Sequence, residues 1–234
     1  MRQSGAMEFV FVGGLVALFA AMQYFSKEAK LKRQLRAAPI HSLAAVPEGT
    51  LVRVVGKATA LDDQTPLLRA PLSGRPCLMY FVKVEPQGSS SGHSIRETNA
   101  IPFMLTDANG KAVIDATAAY PALIFDRDFE SGLLDPAKPA ENEFLARHGR
   151  SAKAWIFDRA LRYREGIIEV GETIAILGIG FREPDPDGTP SEGYRSAPPT
   201  RIRFTSSPKY PLVISDDPTT MRPAQNRLPP ASKS

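Results

Sequence analysis

Pro76 to Glu85 reads PCLMYFVKVE, the longest apolar run outside the N-terminal segment. Alternation puts Cys77, Met79, Phe81 and Lys83 on one face, and Leu78, Tyr80, Val82 and Val84 on the other. Both faces are largely apolar, which predicts a central strand covered on both sides. Upstream, Leu51 to Ala60 (LVRVVGKATA) follows the turn-forming Pro47-Glu48-Gly49 and sets Leu51, Arg53 and Val55 against Val52 and Val54, a second strand. Downstream, Ile101–Thr106 and Lys111–Asp115 flank Asp107-Ala108-Asn109-Gly110, the pattern of a hairpin whose type I turn is closed by a left-handed glycine. Leu161–Val170 and Glu172–Phe181 read as a second hairpin around Gly171, and Arg201–Thr205 and Pro211–Ser215 as short strands. Helix is sparse, the clearest case being Ala140–His148 between Pro139 and Gly149. Short strands separated by turns predict a mainly β fold, a small barrel or sandwich-like domain with one or two short helices.

That domain is expected to follow a single transmembrane helix. Phe9 to Phe25 (FVFVGGLVALFAAMQYF) runs for seventeen residues without a charge, and Lys27, Lys30, Lys32, Arg33 and Arg36 come directly after it. A helix needs roughly 17–25 mostly apolar residues to cross the hydrocarbon core. A cleaved signal peptide is the rival, but Leu and Phe interrupt the small residues from Ala17 to Met22, so no A-x-A cleavage site stands clear. The basic flank suits a retained anchor better, and it places the N-terminus outside and the body in the cytoplasm, at the cell (inner) membrane. The bilayer is then one partner through Phe9–Phe25, and anionic lipid headgroups near Lys27–Arg36 another.

Charge excludes a nucleic-acid-binding body. Of 29 basic and 25 acidic residues, six basic and two acidic precede residue 37, which leaves 23 of each in the rest. The net charge of +4 therefore belongs to the membrane flank, whereas a phosphate-binding surface would be basic itself. Cys77 is the only cysteine, so no intrachain disulfide and no cysteine-based zinc site can form. His41, His93 and His148 are scattered without ligand spacing, and no cofactor motif is present. The expected organisation is a flank (1–8), the membrane helix (9–25), a basic juxtamembrane helix and linker (26–45), the β domain (46–217) and a disordered tail (218–234). Ser26–Ala37 continues the membrane helix, with Leu31 and Leu35 on one side, and Pro39 ends it. Eleven of the 21 prolines lie between Pro184 and Pro230, which suits an extended excursion over Pro184–Pro199 and the tail.

Several stretches in order resemble the GIDE-type (BAM) domain of membrane-anchored ubiquitin ligases of the mulan/MAPL kind and their bacterial relatives. They are Glu48-Gly49 leading into Leu51–Lys57, Ala70-Pro71-Leu72-Ser73-Gly74-Arg75-Pro76-Cys77, and Pro102–Asp107 closed by Gly110. Leu161–Gly166 before Gly171-Glu172 and Ile176-Leu177-Gly178, then Pro211–Asp216, complete the series. The resemblance implies a membrane-tethered β module that binds protein partners. The ligases add a second membrane helix and a RING that holds zinc. One cysteine and three histidines cannot supply a RING's ligands, so the transfer activity does not carry over.

Candidate partner-binding residues are Ser73, Gly74 and Arg75, as a presented loop, and Arg162, Arg164 and Glu165, as a polar patch beside Tyr163. Their plainer readings are a tight turn with Gly74 at positive φ, and a solvated strand face with cross-strand ion pairs. Asp126, Asp128 and Glu130 would share one face of an extended segment but lack further metal-ligand spacing. No nucleophile elbow, H-E-x-x-H, P-loop or G-x-G-x-x-G opening a helix is present, so no catalytic residue is assigned. The expected function is a membrane-anchored, non-catalytic interaction or scaffold module with an unidentified protein partner. The alternative is a component of a ubiquitin-like ligase system or an unrecognised enzyme.

Overall fold

The computed structural model describes residues 29–87, 94–131, 137–151, 160–186, 188 and 199–223. In chain order the strands are β1 (Ile40–His41), β2 (Leu51–Ala60), β3 (Leu68–Arg69), β4 (Pro76–Cys77), β5 (Met79–Pro86), β6 (Ile95–Ala100) and β7 (Phe103–Thr106). They continue as β8 (Lys111–Ile114), β9 (Tyr120–Pro121), β10 (Arg127–Ser131), β11 (Leu161–Ile168), β12 (Thr173–Pro184), β13 (Thr200–Thr205) and β14 (Val213–Ser215). Residues 29–37 form a helix, α1, and Pro139–Arg147 form α2. Among the described residues no helix is long and apolar enough to cross a membrane, and the expected span Phe9–Phe25 lies outside them.

Five strands close on themselves. β2 pairs with β7, β7 with β8, β8 with β13, β13 with β12, and β12 returns to β2. β8 and β13 run parallel; the other four pairings are antiparallel. The fourth barrel strand lying beside the first is Greek-key order, and a five-stranded barrel of this kind has OB-type architecture. Its interior takes every second residue: Val52 and Val54, Phe103 and Leu105, Ala112 and Ile114, Ile174 and Ile176, Ile202 and Phe204.

A second lobe grows from two insertions into this barrel. The excursion between β2 and β7 supplies β5 and β6, and the one between β8 and β12 supplies β10, α2 and β11. They meet in a four-stranded sheet, β10-β11-β5-β6, so β5 is a central strand as expected. Its run is broken, however. Leu78 separates β4 from β5, and both Leu78 and Met79 enter the barrel core, while Cys77, Tyr80, Val82 and Val84 join the second core beneath α2. The strict alternation expected from Cys77 onward fails at this break because the strand passes from one lobe to the other.

Four further expectations are corrected. β11 and β12 form no hairpin; they belong to different sheets, and Gly171 (φ 93°) turns the chain between lobes. The β7–β8 hairpin forms, but Gly110 is not left-handed; a Cβ there would press on the Ala44 backbone nitrogen at 3.3 Å. The segment expected as juxtamembrane helix and linker (26–45) is helical over 29–37, as expected, but is packed on the barrel and not a free linker: Leu35 and Leu43 are buried and β1 pairs with β2. The tail expected to be disordered from residue 218 begins with an ordered 3-10 turn, Pro218–Thr220, whose Thr220 is buried. Most of the two loops expected at Gln87–Gly92 and Pro184–Pro199 lies outside the described residues.

The lobes cross most tightly at Gly166 of β11, where a Cβ would lie 2.4 Å from the Ile124 carbonyl oxygen. That oxygen is backbone and cannot rotate away. Gly166→Ala should therefore destabilise the full-length chain by about 3 kcal/mol, measured by urea unfolding in detergent. A loss under about 0.5 kcal/mol, the range of ordinary surface substitutions, would contradict this packing.

Candidate functional site

The junction of the lobes gathers four of the six candidate residues. Loop 70–75 folds into a tight turn: the Gly74 N–H donates to the Ala70 carbonyl at 2.8 Å, and the Ala70 N–H to the Arg75 carbonyl at 2.9 Å. Gly74 sits at φ 71°, the left-handed conformation that a side chain would strain. Glu165, buried on β11, accepts the Leu72 N–H at 2.7 Å, and Arg127 donates to the Leu72 carbonyl at 2.9 Å. Arg75 makes a bidentate pair with Glu169 at 3.0 and 2.5 Å and lies 3.8 Å from Asp126. Ser73 is half-buried, and its Oγ accepts the Arg75 N–H at 3.4 Å. No imidazole bonds to it among the described residues: His41 contacts the Pro39 carbonyl and His148 contacts Glu97.

Arg162 and Arg164 are elsewhere. They point from the opposite face of β11, beside acidic residues of the neighbouring strands. Arg162 forks onto Asp128 at 2.7 and 2.6 Å, and Arg164 pairs with Glu85 and lies over the Phe125 ring at 5.1 Å. Cross-strand pairing thus describes these arginines, and Glu165 belongs to no surface patch with them. Tyr163, between them, is buried in the second core.

The carboxylates at the junction act as pins. Asp126 accepts the Ile167 N–H at 2.9 Å, Glu172 the Glu169 N–H at 2.9 Å, and Asp216 the Ile124 N–H at 2.7 Å. The three residues expected to share a face separate accordingly: Asp126 holds backbone, Asp128 holds Arg162, and Glu130 accepts from Gln87. Among the described residues no group of three His, Cys, Asp or Glu could hold a metal ion. Crowding shows in the titration. Burial, then the charges of Glu172 and Asp126, push Asp216 up to about 6. Burial, reinforced by Glu165 and Glu169, pushes the Cys77 thiol up to about 11, far from a nucleophilic thiolate at neutral pH.

One polar constellation escaped the sequence reading. On the face of the second sheet under α2, the Tyr80 hydroxyl donates to Glu97 at 2.6 Å, and His148 lies 2.7 Å from the other carboxylate oxygen. Burial alone would raise the Glu97 pKa, but the Tyr80 and His148 hydrogen bonds and the Arg147 charge outweigh it, and the carboxyl sits below its ordinary value. Tyr80 is pushed up to about 12 by burial and then by Glu97. His148 also packs on the Phe144 ring at 4.8 Å, so the group fastens the end of α2 to β5 and β6. Only pairing across strands brings Glu97 and Tyr80 together, and no sequence spacing announces it.

Compared with protein-family models, curated proteins and solved structures, the chain matches none.

The raised Asp216 pKa fixes a sign. A carboxyl that binds its proton more tightly when folded stabilises the fold below its unfolded pKa and loses that contribution as pH rises through about 6. Asp216→Asn keeps an acceptor for the Ile124 N–H and removes the charge. It should stabilise the chain by about 1–2 kcal/mol at pH 7.5, with the difference vanishing near pH 4, by urea unfolding at both values. Equal effects at the two pH values would show that charge is not the cause.

Proposed function

We propose that the chain is a membrane-tethered, non-catalytic interaction module of the GIDE type, with its N-terminus outside and its β domain in the cytoplasm at the cell (inner) membrane. What supports this reading is the sequence that precedes a packed helix: the uncharged stretch Phe9–Phe25 comes before α1 in the chain, with Lys27 between them, and α1 packs against the barrel through Leu35. Arg36 adds an ion pair with Asp217 at 2.8 Å. A helix that is both tether and packing element keeps the module near the bilayer. Its basic residues draw anionic headgroups, each worth about 1 kcal/mol near the surface.

The non-catalytic part of the reading draws on how the polar groups are used. Glu165, Glu172, Asp126 and Asp216 all accept backbone N–H groups, and the Cys77 thiol is buried and protonated. On this reading, Ser73, Gly74 and Arg75, held out at the lobe junction, meet a protein partner, and the neutral body has no affinity for nucleic acid.

Fractionation and topology reporters test the proposal. The full-length chain should sediment with membranes, resist carbonate extraction and keep its N-terminus. A C-terminal fusion to a reporter active only in the periplasm should be silent, and a cytoplasmic fluorescent fusion bright. Soluble protein beginning near Met22, or an active periplasmic fusion, would reverse the assignment.

A further inference from the structure

Arg53 is completely buried, yet only part of its guanidinium is satisfied. Nη1 donates to the Thr220 carbonyl at 3.0 Å, while Nε and Nη2 meet no acceptor among the described residues. Burial pulls its pKa below the ordinary value. The residue sits on the outer face of β2, with Leu51 and Val55 along the strand and Ile40 and Leu177 beside it on β1 and β12. Leu51, Val55, Ala175, Leu177 and Val213 make this face apolar, and α1 covers it with Leu31 and Leu35.

The cover is a poor electrostatic match. Residues 29–37 read AKLKRQLRA, four cations and no acid, packed on the face of β2 that carries Arg53, whose guanidinium has no ion-pair partner among the described residues. The nearby carboxylate, Asp217, is committed to Arg36 at 2.8 Å and to the Thr219 N–H at 2.8 Å. The fit is also incomplete: a cavity of about 80 Å³ remains beside Leu35, lined among others by Lys32, Arg36, Ser215 and Thr220. A buried charge is tolerated when paired and costly when not.

We propose that α1 is a releasable strap over a docking face, and that the partner fitted to this face is an apolar helix carrying a carboxylate against Arg53. Two unused donors on one planar guanidinium suit a carboxylate, and the surrounding aliphatic side chains suit the apolar face of a helix, the helix-in-groove mode. The inference rests on the interaction-module reading and adds a second partner face, apart from Ser73–Arg75, with the chemical class of its occupant. Lys32 is half-buried on the inner side of α1, one residue from Leu31 and three from Leu35, so an acid placed there imitates the partner within the same chain.

Hydrogen exchange on the full-length chain in detergent tests both parts, independently of where the chain resides in the cell. Amides of α1 should exchange by local opening, at least about 100-fold faster than the core amides of β12. Arg53→Met and Lys32→Glu should each slow exchange in α1 by about tenfold, and the gain from Lys32→Glu should vanish in the Arg53→Met background. A synthetic peptide of residues 26–39 carrying Lys32→Glu, added in excess, should speed α1 exchange in the native chain but not in Arg53→Met. The same peptide with Lys32 retained should be at least about tenfold weaker. Exchange of α1 only as fast as β12 would overturn the strap. Equal potency of the two peptides, or a Lys32→Glu gain that survives Arg53→Met, would overturn the carboxylate-bearing partner.

Discussion

Closure of the barrel depends on β12, which is hydrogen-bonded along both edges. One edge pairs with β2 from Thr173 to Ile179, and the other takes β14 at Ala175–Leu177 and then β13 from Ile179 to Pro184. Both insertions lie between β2 and β12 in sequence, so this pairing can form only when both excursions leave the strands free to meet. Non-local closure of that kind is entropically slow and rewards contacts that keep the insertions together. The second sheet does so, since each insertion gives it two strands and neither could bury its apolar side alone.

Carboxylates are the fasteners between these parts. Glu165 ties loop 70–75 to β11, Asp126 ties the segment before β10 to β11, and Asp107 holds the start of the 3-10 turn at Leu43 with a bond of 2.7 Å. A carboxylate accepting a backbone N–H makes a charge-assisted bond that satisfies an otherwise stranded donor. Burial, and then the nearby charges of Glu172 and Asp126, raises the Asp216 pKa. Perturbed acidity can mark chemistry, but structural networks perturb it as well. Here Glu165, Asp126 and Asp216 each accept a backbone N–H, which is a structural use of the charge.

Local signals were the legible ones. β2, the β7–β8 hairpin and α2 follow from alternation, turn residues and the Pro139 and Gly149 boundaries, because each is decided within a dozen residues. What failed was partnership. Gly171 looks like a hairpin turn because two apolar strands flank it, yet each strand finds its partners far away. The break at Leu78 is invisible in an unbroken apolar run, since both lobes accept the same kind of side chain. Of the candidate site, Gly74 was legible through the turn chemistry of its neighbours. Glu165 was not, because its charge suggests exposure, although alternation puts it on the Tyr163 face, opposite Arg164, where its carboxylate accepts the Leu72 N–H.

Arg53 is where local consistency breaks most sharply. Its position in β2 shares a face with Leu51 and Val55, and an aliphatic residue there would continue the cluster beneath α1 without a desolvation penalty. Replacing buried ionic groups by apolar ones of similar size is often neutral or stabilising, so packing alone does not account for a guanidinium. The bond to Thr220 explains part of it, by fastening the 3-10 turn to the barrel wall. Nothing among the described residues uses Nε and Nη2. Departures from local consistency concentrate where a structure must do more than fold. On the proposal that a partner carboxylate takes these donors, α1, which packs Leu31 and Leu35 on the same face of β2, is the element that it must displace.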